Sequence, residues 1–340
     1  MNKIVSLVSL VACTLIVPVT SFADGEVNLY SARKEKLIKP LLDTFTKESG
    51  IKVNLVTAKA GPLLKRLQTE GINSPADLFI TTDAGRLHKA EEAGVLQAVD
   101  SAALNSAIPA EYRDPAGVWY GLSLRARPIF YVKSKVKPEE LSTYEALADD
   151  KWKNRICIRS SSNIYNQSLV ASMIANDGAD KTKAWADKFV ANLARKPKGG
   201  DRDQIKAAAA GECDIAIANT YYYGAMITGK DEKQQKAADA VAVFWPNQAD
   251  RGTHVNISGI AMTKASKNKA NAQKLMEFLV TQESQDWYAQ VNHEYPVIKS
   301  GEWSDTLKSW GEFKADSLNL SKLGELNKDA VQLMDKASWK

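Results

Sequence analysis

Three consecutive tyrosines, Tyr221, Tyr222 and Tyr223, follow the short apolar run Cys213–Ala218. Small and branched apolar residues without proline make that run a buried strand, too short for a helix. Asn219 and Thr220 are N-cap types, and a helical pattern (Ala225, Met226, Ile227) begins behind them. The tyrosines therefore stand where a strand hands over to a helix. Free backbone N–H groups and the positive end of the helix dipole face such a turn, which favours negative charge there, a phenolate included. The competing use of adjacent tyrosines is packing, with the ring inward and the hydroxyl at the rim. A repeat weighs against packing alone. Cys157 lies eight residues before Tyr165, and Cys213 lies eight before Tyr221. Two strand–cap–tyrosine units of one length, joined near their starts by a disulfide, would set Tyr165 and Tyr221 side by side.

The chemistry open to such a group is hard-metal binding. A phenol has a pKa of about 10 and binds a metal only as phenolate, so the cation must displace the proton. Fe(III), hard and highly charged, suits oxygen donors of this kind. Tyr165, Tyr221 and Tyr222 would neutralise its three charges, with Tyr223 and Tyr30 as further candidates. An anion, water or another tyrosine would fill the remaining positions, and Arg33, Lys34, Arg125 and Arg127 are the cations that could hold the anion. Other metal or catalytic chemistry has little support. His88, His254 and His293 are scattered without a His-x-x-x-His pair, and neither a Gly-x-Ser-x-Gly elbow nor a Walker loop is present.

The elements that must position these residues alternate clearly. Strands are expected at Val27–Tyr30, Ile51–Val56 and Asp77–Thr81, and helices at Leu37–Thr46, Pro62–Glu70 and Ala84–Ala93, the last closed by Gly94. This alternation implies parallel βαβ units in an open sheet, with ligands gathered at the strands' carboxyl ends: Ser31–Lys34, Ala58–Gly61 and Thr82–Gly85. Val118–Leu124 and Ile129–Val132 are extended runs on either side of Arg125-Ala126-Arg127-Pro128, a crossing from one domain to the next. Beyond it, a strand at Arg155–Arg159 and N-caps in Ser160–Asn163 lead into a helix at Ile164–Ala175. Helices at Asp180–Leu193 and Asp203–Ala210 precede the opening stretch. Val241–Phe244 and Asn256–Met262 are strands, the second returning to the first domain. Helices follow at Ala270–Thr281 and Ser284–Val291, and residues 301–340 are expected to pack across the second domain.

The whole chain bounds the answer. At 340 residues, 44% apolar and 25% charged, it is a two-domain globular protein by size and composition. Residues 1–23 form a secretory leader: Lys3, the largely apolar Ile4–Val19, and Ser21-Phe22-Ala23 as cleavage site. Leu10-Val11-Ala12-Cys13 resembles a lipoprotein box, but the apolar run continues past Cys13, so lipidation is not expected. No later segment approaches the roughly 20 apolar residues of a membrane span. Without Lys3 the net charge falls from +5 to +4, with both signs interspersed, which gives no nucleic-acid signal. The leader leaves Cys157 and Cys213 alone in an oxidising compartment, where two cysteines suggest one disulfide rather than two free thiols.

Several motifs together resemble the periplasmic ferric-ion-binding proteins, soluble receptors of ABC-type iron importers. They are Tyr30-Ser31-Ala32-Arg33-Lys34, Ser74-Pro75-Ala76-Asp77, Arg125-Ala126-Arg127 and, most specific, Asn219-Thr220-Tyr221-Tyr222. Gly252–Gly259 and Glu294-Tyr295-Pro296-Val297 also fit. The resemblance implies an α/β, two-domain, hinged periplasmic-binding-protein fold of type II, transferrin-like, with Fe(III) in the cleft. It implies domains of 24–125 plus 248–300 and 126–247 plus 301–340. By motif, the metal falls to Tyr165, Tyr221 and Tyr222. Lys34-Glu35 stands where some members carry a histidine or a His-Tyr pair, which resembles instead the branch using three tyrosines and a synergistic anion such as carbonate. Arg33 and Arg125 or Arg127 would contact that anion, Tyr30 would stand behind the ligands or add a fourth phenolate, and Tyr223 would face away. The partners implied are a permease and its ATPase, the state a monomer, the place the periplasm. Two rivals remain: a receptor of the same fold for an oxyanion, polyamine or sugar, and an exported enzyme with a tyrosine or histidine as acid–base.

Overall fold

The alternating first third of the chain folds as parallel βαβ units in the computed structural model, which describes residues 25–340. The expected leader and Cys13 lie outside the described residues. β1 (Gly25–Ser31) pairs in parallel with β2 (Ile51–Thr57) and with β3 (Leu78–Thr82). Helices Lys39–Ser49, Ala60–Glu70 and Ala84–Glu92 follow these strands and bury Leu41, Leu42, Leu63, Leu67 and Leu87. Gly50, at φ 73°, closes the first of them in the left-handed region that only glycine enters at little cost.

β4 (Leu96–Gln97) and β5 (Trp119–Ala126) come next. The chain then leaves through Arg127 and Pro128 for a second sheet. There β6 (Ile129–Val132), β7 (Ile156–Cys157), β8 (Ile215–Ile217) and β9 (Val241–Phe244) lie in the order β7-β8-β6-β9. β10 (Val255–Thr263) returns to the first sheet, whose order is β2-β1-β3-β10-β4, and β5 also pairs with β10. β10 runs antiparallel to β3, β4 and β5, so the sheet is mixed rather than wholly parallel. All nine residues of β10 and all eight of β5 are buried, the polar Ser123, Arg125, Asn256 and Ser258 included. Two neighbouring strands thus carry the chain out to the second sheet and back.

Cys157 and Cys213 are disulfide-bonded, with Cα atoms 5.9 Å apart. Closing a loop of 56 residues stabilises the fold by about 4 kcal/mol on the chain-entropy argument. The C-terminal segment, expected across the second domain, also reaches the first-sheet side. Helix Ser321–Glu325 contacts both Ala84–Glu92 beside the first sheet and Ile164–Asp177 beside the second, and Asn327–Lys336 packs on Ile164–Asp177. Gly324 permits this, since a Cβ there would fall 2.2 Å from His88 Cβ. On another side Trp245 stacks on Phe313 at 4.1 Å, and Phe313 meets Tyr295 at 5.2 Å, joining the end of β9 to the first-sheet side. Among the described residues, no helix is long and apolar enough to cross a membrane.

Candidate metal-binding site

β7 and β8 are parallel neighbours, and each delivers a helix at its carboxyl end. Tyr165 is the second residue of helix Ile164–Asp177, and Tyr221 and Tyr222 are the second and third of helix Thr220–Ile227. The Tyr221 hydroxyl donates to that of Tyr165 at 3.2 Å, and the Tyr221 and Tyr222 rings lie 4.3 Å apart. The side-by-side arrangement expected from the eight-residue spacing is present, but the spacing is not its cause. Cys157 pairs with Ala216, not with Cys213, so the two units are offset by three residues. The longer loop after β7, Ile158–Asn163, takes up that difference. Neither Asn163 nor Asn219 caps its helix through the side chain. Asn219 instead accepts a hydrogen bond from Arg127, which leaves the first-turn N–H groups beside the tyrosines uncapped by side chains.

Tyr165, Tyr221 and Tyr222 line one cavity of about 380 Å³, with Arg33, His293 and Glu294 reaching it from the first-sheet side. Burial, followed by the Tyr165 and Tyr222 phenols, pushes the Tyr221 pKa well above 10, while Arg125 pulls it down. Burial and Tyr165 push Tyr222 up to about 12. Both are therefore neutral phenols at pH 7 until a cation displaces their protons. Positive charge surrounds them: the guanidinium carbons of Arg86, Arg125 and Arg159 lie within 5.7–5.9 Å of the Tyr165 ring centre, and that of Arg202 lies 6.0 Å from Tyr222. Among the described residues, no group of three His, Cys, Asp or Glu side chains is placed to hold a metal. Three phenols are gathered at the cavity, and the one carboxylate lining it among the described residues, Glu294, is paired with Arg33.

The remaining candidates separate. Arg33 lines the cavity with its charge engaged by Glu294 at 2.6 Å. Arg125 is 2% exposed, none of its three nitrogens has a hydrogen-bond partner among the described residues, and its nearest carboxylate, Asp83, is 3.8 Å away. Its guanidinium lies beside Tyr165 and Asn219 rather than on the wall of the tyrosine cavity. Arg127 donates to Asp201 and Asn219, both at 2.8 Å, and to Asn166 at 2.6 Å. Asn166 follows Tyr165 and Asn219 precedes the tyrosine pair, so Arg127 fixes the two helix starts relative to each other. Tyr30 is not brought to the cavity. Its hydroxyl donates to Glu70 at 3.0 Å, its ring lies under Arg66, and burial together with Glu70 raises its pKa, which opposes a phenolate. Tyr223 faces away, packed on Phe130 and Trp310 at 4.9 and 5.5 Å.

Residues 30–286 match the family model for bacterial extracellular solute-binding proteins. The chain belongs to that family. Iron uptake protein A1 of Synechocystis sp. is 50% identical to it over 315 residues, covering 93% of this chain and 88% of the relative. A Trichodesmium protein (IdiA, FutA) solved in complex with iron and citrate ligands is similar at 51% identity and a TM-score of 0.91, over 93% of this chain and all of that one. Ferric iron-binding protein A of Mannheimia haemolytica, solved in an open conformation, is similar at 44% identity and a TM-score of 0.88, over 93% of this chain and 99% of that one. The two-sheet architecture is accordingly the type II periplasmic-binding-protein fold expected from the motifs.

Sequence reasoning passed over parts of this solute-binding protein's site. His293, read as one of three scattered histidines, is buried at the cavity with Nε2 2.9 Å from Thr228 Oγ1. Arg86, Arg159 and Arg202 converge on the tyrosine rings from three separate segments, and no local pattern marks them. Glu294 lay within a quoted motif, but its pairing with Arg33, 261 residues away, was visible only in three dimensions.

Proposed function

We propose that this protein is the exported receptor of an iron importer, a carrier rather than an enzyme. It captures Fe(III) through the phenolates of Tyr165, Tyr221 and Tyr222 and delivers it to an ABC-type permease driven by its ATPase. The observation that carries this reading is the convergence of Tyr165, Tyr221 and Tyr222 on one cavity at two uncapped helix starts, ringed by guanidinium groups. The relatives named for iron uptake and the neighbour solved with iron support it.

The lobes are residues 24–125 plus 248–300 and residues 126–247 plus 301–340. All three tyrosines then belong to the second lobe, while Arg33, His293 and Glu294 belong to the first. The metal is captured by one lobe, and the other closes over it, the change of hinge state that a permease can recognise. A synergistic anion such as carbonate completes the coordination against Arg125, with Arg33 at the cavity wall. The protein acts in the periplasm once the leader over residues 1–23 is removed, as a monomer and without lipid on Cys13.

The test is a visible spectrum recorded while Fe(III) is titrated into the protein with and without bicarbonate. An orange to red ferric–phenolate band saturating at one metal per chain is expected, stronger with bicarbonate. Intact colour and affinity in a Tyr221→Phe, Tyr222→Phe double variant would overturn the assignment.

A further inference from the structure

Beside the tyrosine cavity lies a larger one of about 730 Å³ that shares no lining residue with it. One wall is the start of helices Ala60–Glu70 and Ala84–Glu92, and the other is the loop and helix start from Arg159 to Gln167. Four cationic side chains reach into it: Lys65, Arg86 and Lys89 from the first wall and Arg159 from the second. Among the described residues, no carboxylate lines it. Like charges facing each other across a cleft are unfavourable unless an anion lies between them.

The hydrogen bonding is also incomplete on the donor side. Lys59 and Asn163, at the N-cap positions of two of the three helices, make no side-chain cap, so first-turn N–H groups at the cavity remain open to a ligand. Arg159 spends one nitrogen on Asp201 at 2.5 Å, yet its buried Nε has no hydrogen-bond partner among the described residues. Arg86 is held in place by Thr82, to whose carbonyl and hydroxyl it donates at 3.1 and 2.9 Å.

We propose that this cavity is a second anion site, which takes a small oxyanion of two or more negative charges, of the polyphosphate or polycarboxylate class, without contact to the metal. The anion bridges the two walls and offsets the repulsion between Arg159 and the first-lobe cations. Because it favours the closed arrangement, it tightens iron binding, and iron tightens its binding by the same factor. The coupling rests on the iron reading above; occupancy of the site does not.

The experiment begins with metal-free protein, titrated by calorimetry with inorganic pyrophosphate and, separately, with tricarballylate. Saturable one-to-one binding of at least one probe is expected, weakening as salt is raised. A Lys65→Gln, Lys89→Gln double variant alters two exposed helix positions and is expected to weaken binding about tenfold. The Tyr221→Phe, Tyr222→Phe variant is expected to leave it unchanged. Which probe binds distinguishes a phosphate-type from a carboxylate-type occupant. No saturable binding by either probe, equal affinity in the lysine variant, or loss in the tyrosine variant would each overturn the proposal. Anion binding without a ferric–phenolate band would leave this site standing and remove the iron reading instead.

Discussion

At the residue scale, the proposed iron site sets protons against metal. Burial holds Tyr221 well above 10 and Tyr222 at about 12, so both enter the reaction as neutral phenols at pH 7. A bound metal requires phenolates, and each ligating tyrosine gives up one proton. The sign follows directly: lowering the pH strengthens the proton as competitor and weakens iron binding. Affinity measured against a chelator of known pH behaviour is expected to fall about tenfold per pH unit for each ligating phenolate between pH 8 and pH 6. Affinity that stays level across that range would exclude phenolate ligation. The ligand candidates themselves were legible, because residue type and position relative to a strand end carry their chemistry. The arginines were not equally so. Arg125 and Arg127 stand two apart and look equivalent in sequence, yet among the described residues one guanidinium has no hydrogen-bond partner and the other has three.

At the element scale, two strand–helix units converge because β7 and β8 are adjacent and parallel, and because Arg127 ties their helix starts together. Asp201 collects Arg127, Arg159 and the Asn219 amide into one buried node. Replacing Arg127 by methionine removes one partner and leaves Asp201 less compensated. Urea unfolding of the Arg127→Met variant is expected to show a loss of about 3–5 kcal/mol, with the ferric–phenolate band weakened as well. A loss below about 1 kcal/mol would mean that Arg127 is not holding the two starts together. The helices and strands around this node lie close to their expected bounds, since each carries its own apolar period. The equal eight-residue spacing was a useful pointer to the right pair for the wrong structural reason: the strand register is offset, and a longer loop compensates.

At the scale of the whole molecule, His293 from the first-sheet side meets Gly224 and Thr228 on the tyrosine helix. His293, in a left-handed turn at φ 53° after helix Gln282–Asn292, reaches across to Thr228. Gly224 lies beneath it, and a Cβ there would stand 2.7 Å from His293 Cβ. The Gly224→Ala variant is therefore expected to hold the lobes apart. Small-angle scattering should give a larger radius of gyration for the iron-loaded variant, and a chelator should bleach its colour faster than the parent's. An unchanged radius and bleaching rate would show that this contact does not limit closure. The tail adds a second constraint, since helix Ser321–Glu325 touches both sides.

The sequence by itself determined the alternating elements, the pairing of the two cysteines, the export leader as an expectation, and the tyrosines worth considering as ligands. Each follows from local periodicity, a count, or residue chemistry at a recognisable boundary. Only the tertiary structure decided that Arg125 has no hydrogen-bond partner among the described residues while Arg127 has three, that Tyr30 belongs to Glu70, that Arg33 meets Glu294, and that four cations face a second cavity. Those outcomes depend on which acceptors lie across a gap between segments tens to hundreds of residues apart. A charged side chain's sequence neighbours say nothing about what will face it once the chain has crossed between sheets and returned.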